Sequence, residues 1–209
     1  MDWTALYLKT SGLKVFILGT GEVATRRANK FLDHGAIVKL AGSSIEDVLL
    51  EKGAKLHPIE DIDELVKWAD LVVVASGDEE LSDYVAEISK DKLINRADFP
   101  NNGNIIVPTS FSIGDVEVSI FTNGKSPLMA KQLRKKIQSI ITEEDIFEIE
   151  LQDYSRSLLK EVIPNQKDRR EYLYKIFEDE NIHDLIKSGE ITKAKAVIDE
   201  SIKRDFDDT

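Results

Sequence analysis

A short apolar run, Lys14-Val15-Phe16-Ile17-Leu18, ends in Gly19-Thr20-Gly21-Glu22-Val23-Ala24, and a helical pattern follows at once. No other stretch limits the fold so tightly. Strand, glycine turn and helix in that order are the context in which Gly-x-Gly-x-x-Ala is a dinucleotide-binding fingerprint rather than a chance turn. Gly19 permits the tight turn, and Gly21 lets the backbone approach a pyrophosphate with no Cβ in the way. Ala24 lets the helix sit close on the strand. The N–H groups of the first helical turn, at Glu22 and Val23, then face the anion together with the positive end of the helix dipole, and Thr20 lies between the glycines. The competing reading is a purely structural turn.

Downstream, Val23, Ala24, Ala28, Phe31 and Leu32 recur at helical spacing and stop before Gly35, a residue suited to end a helix. Strands are predicted over 37–41, 55–59, 71–75 and 93–94, with helices over 45–52, around Leu65 to Trp68, and over 81–89. Short apolar strands alternating with helices predict right-handed crossovers and an α/β fold, a Rossmann-type parallel sheet buried on both faces. The pattern changes at Pro100. Two strands over 104–107 and 116–121, with no helix between them, predict an antiparallel pair. Ser126-Pro127 opens a helix to Ile141, Thr142 and Asp145 form a capping box for the next, and Pro164 ends it. Further amphipathic helices follow, punctuated near Asn181 and Gly189. The expected division is a dinucleotide-binding domain over 1–111, a small α+β domain over 112–147, and a C-terminal helical domain over 148–209.

Charge narrows the possible partners. The chain of 209 residues has 28 basic and 39 acidic side chains, a net −11. Residues 143–209 carry most of the excess, with 19 acidic against 11 basic. Phosphate neutralisation needs clustered Lys and Arg, so nucleic acid is an unsuitable partner. The exception is local: Lys125, Lys131, Arg134, Lys135 and Lys136 lie between Gly124 and Thr142 with no acid among them. Screening limits electrostatic reach to about 8 Å, so such a patch can attract an anion despite the overall sign; a solvated helix face is the alternative. The longest apolar run, Leu71 to Ala75, is far below the ~20 residues of a membrane span. Met1-Asp2-Trp3-Thr4 shows no basic n-region with an apolar h-region behind it, and there is no cysteine, so the cytoplasm is the expected location. His34, His57 and His183 lack ligand spacing, and no metal site is expected.

Four stretches together resemble the precorrin-2 dehydrogenase family of siroheme biosynthesis, which includes the N-terminal module of bacterial siroheme synthases. They are Leu6-Tyr7-Leu8 with Gly12, Lys14 and Val15; Gly19-x-Gly21-Glu22-Val23-Ala24 with Arg26; Asn95-x-x-Asp98 with Pro100; and Asn123-Gly124-Lys125-Ser126-Pro127 with Ala130, Leu133 and Arg134. The resemblance spans roughly residues 6–141. It departs from the family's usual pattern at Thr20, at Ser76-Gly77 after the fourth strand, and at Asn123. It implies an NAD-dependent dehydrogenase converting precorrin-2 to sirohydrochlorin, with a metal-chelatase activity as a further option. It also implies a homodimer built on the small domain, with active sites completed by both subunits.

Asp98 is the aspartate that the resemblance makes the general acid/base, and Asn95 its orienting hydrogen-bond partner. The residues' own reading places Asp98 at the carboxyl end of a sheet strand, where ligands of open α/β sheets bind; an Asp in a turn before proline is the plainer alternative. Cofactor contacts are expected from Gly19, Thr20, Gly21, Glu22, Val23, Ser43, Ser76 and Gly77. No carboxylate stands after the second strand to take a ribose 2′-hydroxyl. Ser43 or Ser44 either binds that hydroxyl or caps the next helix, while Lys39 favours a 2′-phosphate, so NAD and NADP both stay open. Substrate contacts are expected from Lys125, Ser126, Arg134 and Arg26, since a tetrapyrrole polycarboxylate needs local positive charge. The rival reading is a non-catalytic NAD(H)-binding redox sensor, for which neither Asp98 nor the Lys125 turn is needed.

Overall fold

The computed structural model describes residues 3–206; Met1 and Asp2, on which the expectation of no leader partly rested, lie outside the described residues. The chain forms two compact units, Met1–Val107 and Pro108–Thr209.

The first unit is a five-stranded sheet in the order β3-β2-β1-β4-β5, every pair parallel. Its strands are β1 (Lys14–Leu18), β2 (Ile37–Ala41), β3 (Lys55–His57), β4 (Leu71–Val74) and β5 (Leu93–Arg96). The helices are α1 (Glu22–Asp33), α2 (Asp47–Glu51), α3 (Ile62–Trp68) and α4 (Glu79–Ile88). Side chains alternate across the pleat, so the apolar runs of β1 and β4 supply both faces. Val15, Ile17, Val38, Leu40, Leu71 and Val73 pack with Ala24, Ala28 and Phe31 of α1. Phe16, Leu18, Val72 and Val74 pack with Ile62, Leu65 and Val66 of α3 and Val85 of α4. Each large apolar side chain so buried contributes about 1.5–3 kcal/mol. Small residues at 24 and 28 set the spacing of α1; Ala24→Leu would overpack it at a cost of about 1–3 kcal/mol.

Gly35 ends α1 as expected, at φ +77° with its N–H on the Leu32 carbonyl. The second helix is shorter than its sequence pattern suggests, ending before Gly53 at φ +93°. A larger correction concerns 104–107, which is not a strand. Asn104 instead imitates one with its side chain: Oδ1 accepts from Ile94 N–H at 2.7 Å and Nδ2 donates to the Lys92 carbonyl at 2.7 Å. The backbone N–H groups of Asn104 and Ile105 both reach the Ile94 carbonyl. The open edge of β5 is closed by this carboxamide together with those two N–H groups, and Ile105 and Val107 pack on the α1 face.

The antiparallel pair lies in the second unit as β6 (Thr109–Ile113) and β7 (Val116–Ile120), with Phe111 opposite Val118. The break at Val107 keeps β6 whole, whereas a border at 111/112 would cut it. Helices α5 (Pro127–Gln138), α6 (Glu143–Val162), α7 (Gln166–Phe177), α8 (Glu180–Lys187) and α9 (Ile191–Phe206) follow. Thr142 and Asp145 form the expected capping box at α6, which ends before Pro164. Leu151, Leu159, Ile176, Ile182, Ile186, Ala194, Ile198 and Ile202 make a separate core from α6 to α9.

Candidate cofactor and active site

Parallel strands deliver the turns after β2, β1, β4 and β5 side by side at one edge of the sheet. Three of them interlock. Gly19 stands at φ +105°, and a Cβ there would lie 2.4 Å from the Ala75 carbonyl oxygen. A Cβ on Gly42 would lie 2.5 Å from the Thr20 methyl group. Gly21 is the opposite case: an added Cβ meets nothing within 4 Å. Gly21 also starts α1 without any side-chain cap, as the shorter α2 and α3 start too, whereas α4, α5, α6, α7 and α8 are each capped by a side chain. The first helical turn, from Glu22 and Val23, thus starts beside a residue with no Cβ, no side-chain cap and open space around it. That combination fits the pyrophosphate of a dinucleotide.

Around it the individual contacts differ from one residue to the next. Ser43 and Ser44 are exposed, and neither caps α2, which starts at Glu46 with no side-chain cap. Lys39 does not reach toward a 2′-phosphate position; its ammonium sits over the Trp68 ring at 4.3 Å. Ser76 Oγ accepts from Asp78 N–H at 3.1 Å, and Asp78 caps α4 through Leu81 N–H. Gly77 is exposed with open space around it. The Glu22 carboxylate is 94% exposed and its contact with Arg26 is 4.0 Å, so that pair contributes little to stability.

At the fourth turn the Ala97 N–H still bonds to the Val74 carbonyl, which fixes Asp98 two residues beyond the end of β5. The Asp98 side chain is 17% exposed and is held by Arg96: Nε reaches Oδ1 at 2.9 Å and Oδ2 at 3.2 Å, and Nη2 reaches Oδ2 at 2.7 Å. Burial by itself would raise the Asp98 pKa, but the Arg96 hydrogen bonds and the N–H groups of Phe99 and Asp98 itself outweigh it. The net shift is downward. Arg96 moves the other way, raised first by its bond to Asp98 against the opposing effect of burial, with Asp83 adding to the rise. Asn95 is not joined to Asp98. Its Nδ2 donates to the Ile105 carbonyl at 3.1 Å, and its buried Oδ1 has no partner.

Two functional candidates are absent from the sequence reading, and each had a signal. Arg96 and Asp98 are two apart at a strand end, so their side chains share a face. Arg27 falls on the buried stripe of α1, three after Ala24 and four before Phe31; its Nε is buried without a partner. Burial, and then the neighbouring charge of Arg26, lowers the Arg27 pKa to about 10, which leaves it cationic at neutral pH.

The remaining expected residues belong to the second unit and are described within it. Asn123 at φ +57° and Gly124 at φ +71° turn the chain into Lys125, whose N–H bonds the Thr122 carbonyl. Ser126 Oγ accepts from Met129 N–H and so caps α5. Arg134 lies over the Phe111 ring at 5.6 Å. Lys125, Lys131, Lys135 and Lys136 are exposed. Among the described residues, no group of three or more His, Asp or Glu is arranged to hold a metal ion, and no helix is long and apolar enough to cross a membrane.

A doubly wound parallel sheet with an interlocked glycine turn and an uncapped helix beneath it defines an α/β dinucleotide-binding protein. The family model described as putative NAD(P)-binding matches residues 6–109. A putative precorrin-2 dehydrogenase of Methanocaldococcus jannaschii is 34% identical over 196 residues, 87% of this chain and 93% of that protein. The precorrin-2 dehydrogenase of Methanosarcina barkeri is 31% identical over 193 residues, 87% of this chain and 85% of its own length. The solved structure of SirC, a precorrin-2 dehydrogenase, superposes with a TM-score of 0.75 at 26% identity, over 93% of this chain and 99% of that one. The chain belongs to the precorrin-2 dehydrogenase family, and its first unit is an NAD(P)-binding domain.

Proposed function

We propose that the protein is an NAD-dependent dehydrogenase that oxidises precorrin-2 to sirohydrochlorin. The observation that supports this reading best is a partly exposed carboxylate, Asp98, at the same sheet edge as the open turn at Gly21. β5 is two strands from β1, about 10 Å at the usual strand spacing. The dinucleotide, when bound, supplies an acceptor for a hydride. The chain's own part is to hold it: Gly21 and the N–H groups of Glu22 and Val23 at the pyrophosphate, Ser43 or Ser44 at a ribose hydroxyl, and Ser76 and Gly77 beside the ring.

Asp98 then acts as a proton acceptor. Against the effect of burial, the Arg96 hydrogen bonds and the N–H groups of Phe99 and Asp98 hold its carboxyl below the usual carboxylate range, so at neutral pH it stands as the anion, ready to accept a proton. As a fixed anion it stabilises the positive charge left on the macrocycle when a hydride departs, and it takes the proton that follows. Asn95 keeps the return segment at Ile105 in place beneath it. Within the first unit Arg26, and within the second Lys125 and Arg134, are each proposed as carboxylate-binding groups, with Ser126 setting the turn that presents Lys125. NAD rather than NADP is favoured because Lys39 is held by Trp68 and the turn after β2 has only Gly42, Ser43 and Ser44 to offer a 2′-phosphate.

A homodimer through the second unit is part of the proposal. Helix α5 buries only Ala130 while Leu128, Met129 and Leu133 are 66%, 50% and 37% exposed, and Ile140 beyond it is 63% exposed. α5 packs on β6 and β7, and a second copy would cover the apolar side chains it leaves exposed. The test of the function is anaerobic turnover of precorrin-2 with NAD and NADP in parallel, followed by the absorbance of the product. Oxidation with NAD preferred supports the reading. Tight dinucleotide binding with no turnover assigns the chain to redox sensing instead.

A further inference from the structure

Arg96 is the only charged residue among the described ones that is as deeply buried as the apolar core, with 2% of its side chain exposed. Burying a guanidinium costs several kcal/mol before pairing, and an apolar residue of similar volume would serve packing alone at least as well. The way its donors are divided is informative. The Nε–Nη2 edge lies side-on against Asp98, and the remaining Nη1 reaches Asp83 Oδ1 of α4 at 2.9 Å. A planar fork held at two ends fixes the plane of the carboxylate it grips, which a lysine in the same place would not do. The Phe99 ring flanks the guanidinium at 5.6 Å. The charged groups facing Arg96 are therefore Asp83 from α4 and Asp98 from the end of β5. Asp98 itself is faced by Arg96 and by the N–H groups of Phe99 and its own backbone.

We propose that Arg96 is a positioning residue for the proton step, which orients Asp98 and keeps it an anion, while Asp83 anchors Arg96 from α4. The proposal rests on the reading of Asp98 as the proton acceptor, but its physical content does not depend on turnover. Without Arg96 only the N–H groups of Phe99 and Asp98 still oppose the burial of Asp98, and the carboxyl becomes a weaker acid whose base form fades as the pH falls. Its base function then acquires an acid limb closer to neutrality.

The test uses the full chain and two readouts. The first is the titration of the Asp98 carboxyl carbon by 13C NMR, assigned by comparison with Asp98→Asn. The second is the acid limb of kcat/KM for precorrin-2 oxidation. In Arg96→Gln the Asp98 titration is expected to move up by about 1–3 pH units, the range by which a neighbouring opposite charge displaces a carboxylate. The acid limb should move with it, while the dinucleotide Kd stays within about twofold, a change worth only some 0.4 kcal/mol. Arg96→Lys keeps the charge and serves if Arg96→Gln does not fold; it is expected to move the titration by less and to lower kcat with KM unchanged. An Asp98 titration that does not move in either folded variant overturns the proposal and leaves Arg96 a structural tie. A moved titration in a protein that never oxidises precorrin-2 upholds the pairing and refutes only the assigned reaction.

Discussion

Two alanine substitutions two residues apart in the first turn should fail in opposite ways. At Gly19 the backbone is at φ +105° and the new Cβ would meet the Ala75 carbonyl oxygen at 2.4 Å and the Ser76 nitrogen at 3.1 Å. The neighbours are backbone at the end of β4, so nothing flexible can move aside. Holding an alanine at that φ costs about 1–3 kcal/mol, and overpacking adds a further 1–3, roughly. For a unit of this size the sum lowers the melting temperature by about 10 °C or more. At Gly21 the φ is −78° and the space is open. The only folding cost of Gly21→Ala is a poorer helix start, about 0.5–1 kcal/mol. Its Cβ, however, stands where the pyrophosphate must come. Losing one charge-assisted N–H bond is worth about 1.5–3 kcal/mol, so the dinucleotide Kd should rise by roughly ten- to a hundredfold. Thermal unfolding by circular dichroism and isothermal titration calorimetry with NAD separate the two effects. A Gly21→Ala protein that binds NAD as the parent does would refute the placement of the anion at this turn.

Other expected outcomes are simpler. Gly103→Ala would put a Cβ 2.7 Å from the Ile94 carbonyl oxygen and 3.0 Å from Arg96 N; kcat should fall with little change in NAD affinity, because the return segment shifts under Asp98 and not under Gly21. In α7 and α9, burial and then the bond to Asp205 push the Tyr172 hydroxyl up to about 12, and Lys175 and Tyr172 hold Asp205 down to about 2. The raised tyrosine contributes stability that is present below pH 10 and lost as the pH rises toward 12. The depressed aspartate contributes stability present above about pH 4 and lost as the pH falls toward 2. Tyrosinate absorbance should therefore lose a group titrating at about 12 in Tyr172→Phe. Leu133→Glu in α5 should halve the mass measured by sedimentation equilibrium without unfolding α6 to α9; a parent protein that is already monomeric would reject the dimer.

The sheet was legible because its strands are buried on both faces. Val15 to Leu18 and Leu71 to Val74 have to be continuous apolar runs, and no surface segment needs that composition. Caps were legible for a related reason: Thr142 with Asp145, and Pro164, act through local backbone bonds that travel with the sequence. What did not show was pairing decided by side chains remote in sequence. Asn104 in place of a strand residue is one case, since a polar residue in an apolar run gives no sign that its carboxamide will serve β5. Lys39 is another, because Trp68, its partner, lies 29 positions away. The site was half legible in the same way. Glycine spacing located the interlocked turn at Gly19, and strand-end logic placed Asp98 at the edge of the sheet. The grip of Arg96 on Asp98 did not show, because it is shared with Asp83, which arrives from α4.

The most direct measurement is single-turnover oxidation of precorrin-2 by the NAD-loaded Asp98→Asn protein, with NAD affinity measured on the same sample. The expected result is an NAD Kd within about twofold of the parent and a hydride-transfer rate lowered by about 10²–10⁴, the usual contribution of a positioned proton acceptor. An Asp98→Asn protein that turns over at the parental rate would contradict it, and the carboxylate at the end of β5 would then be no part of the chemistry.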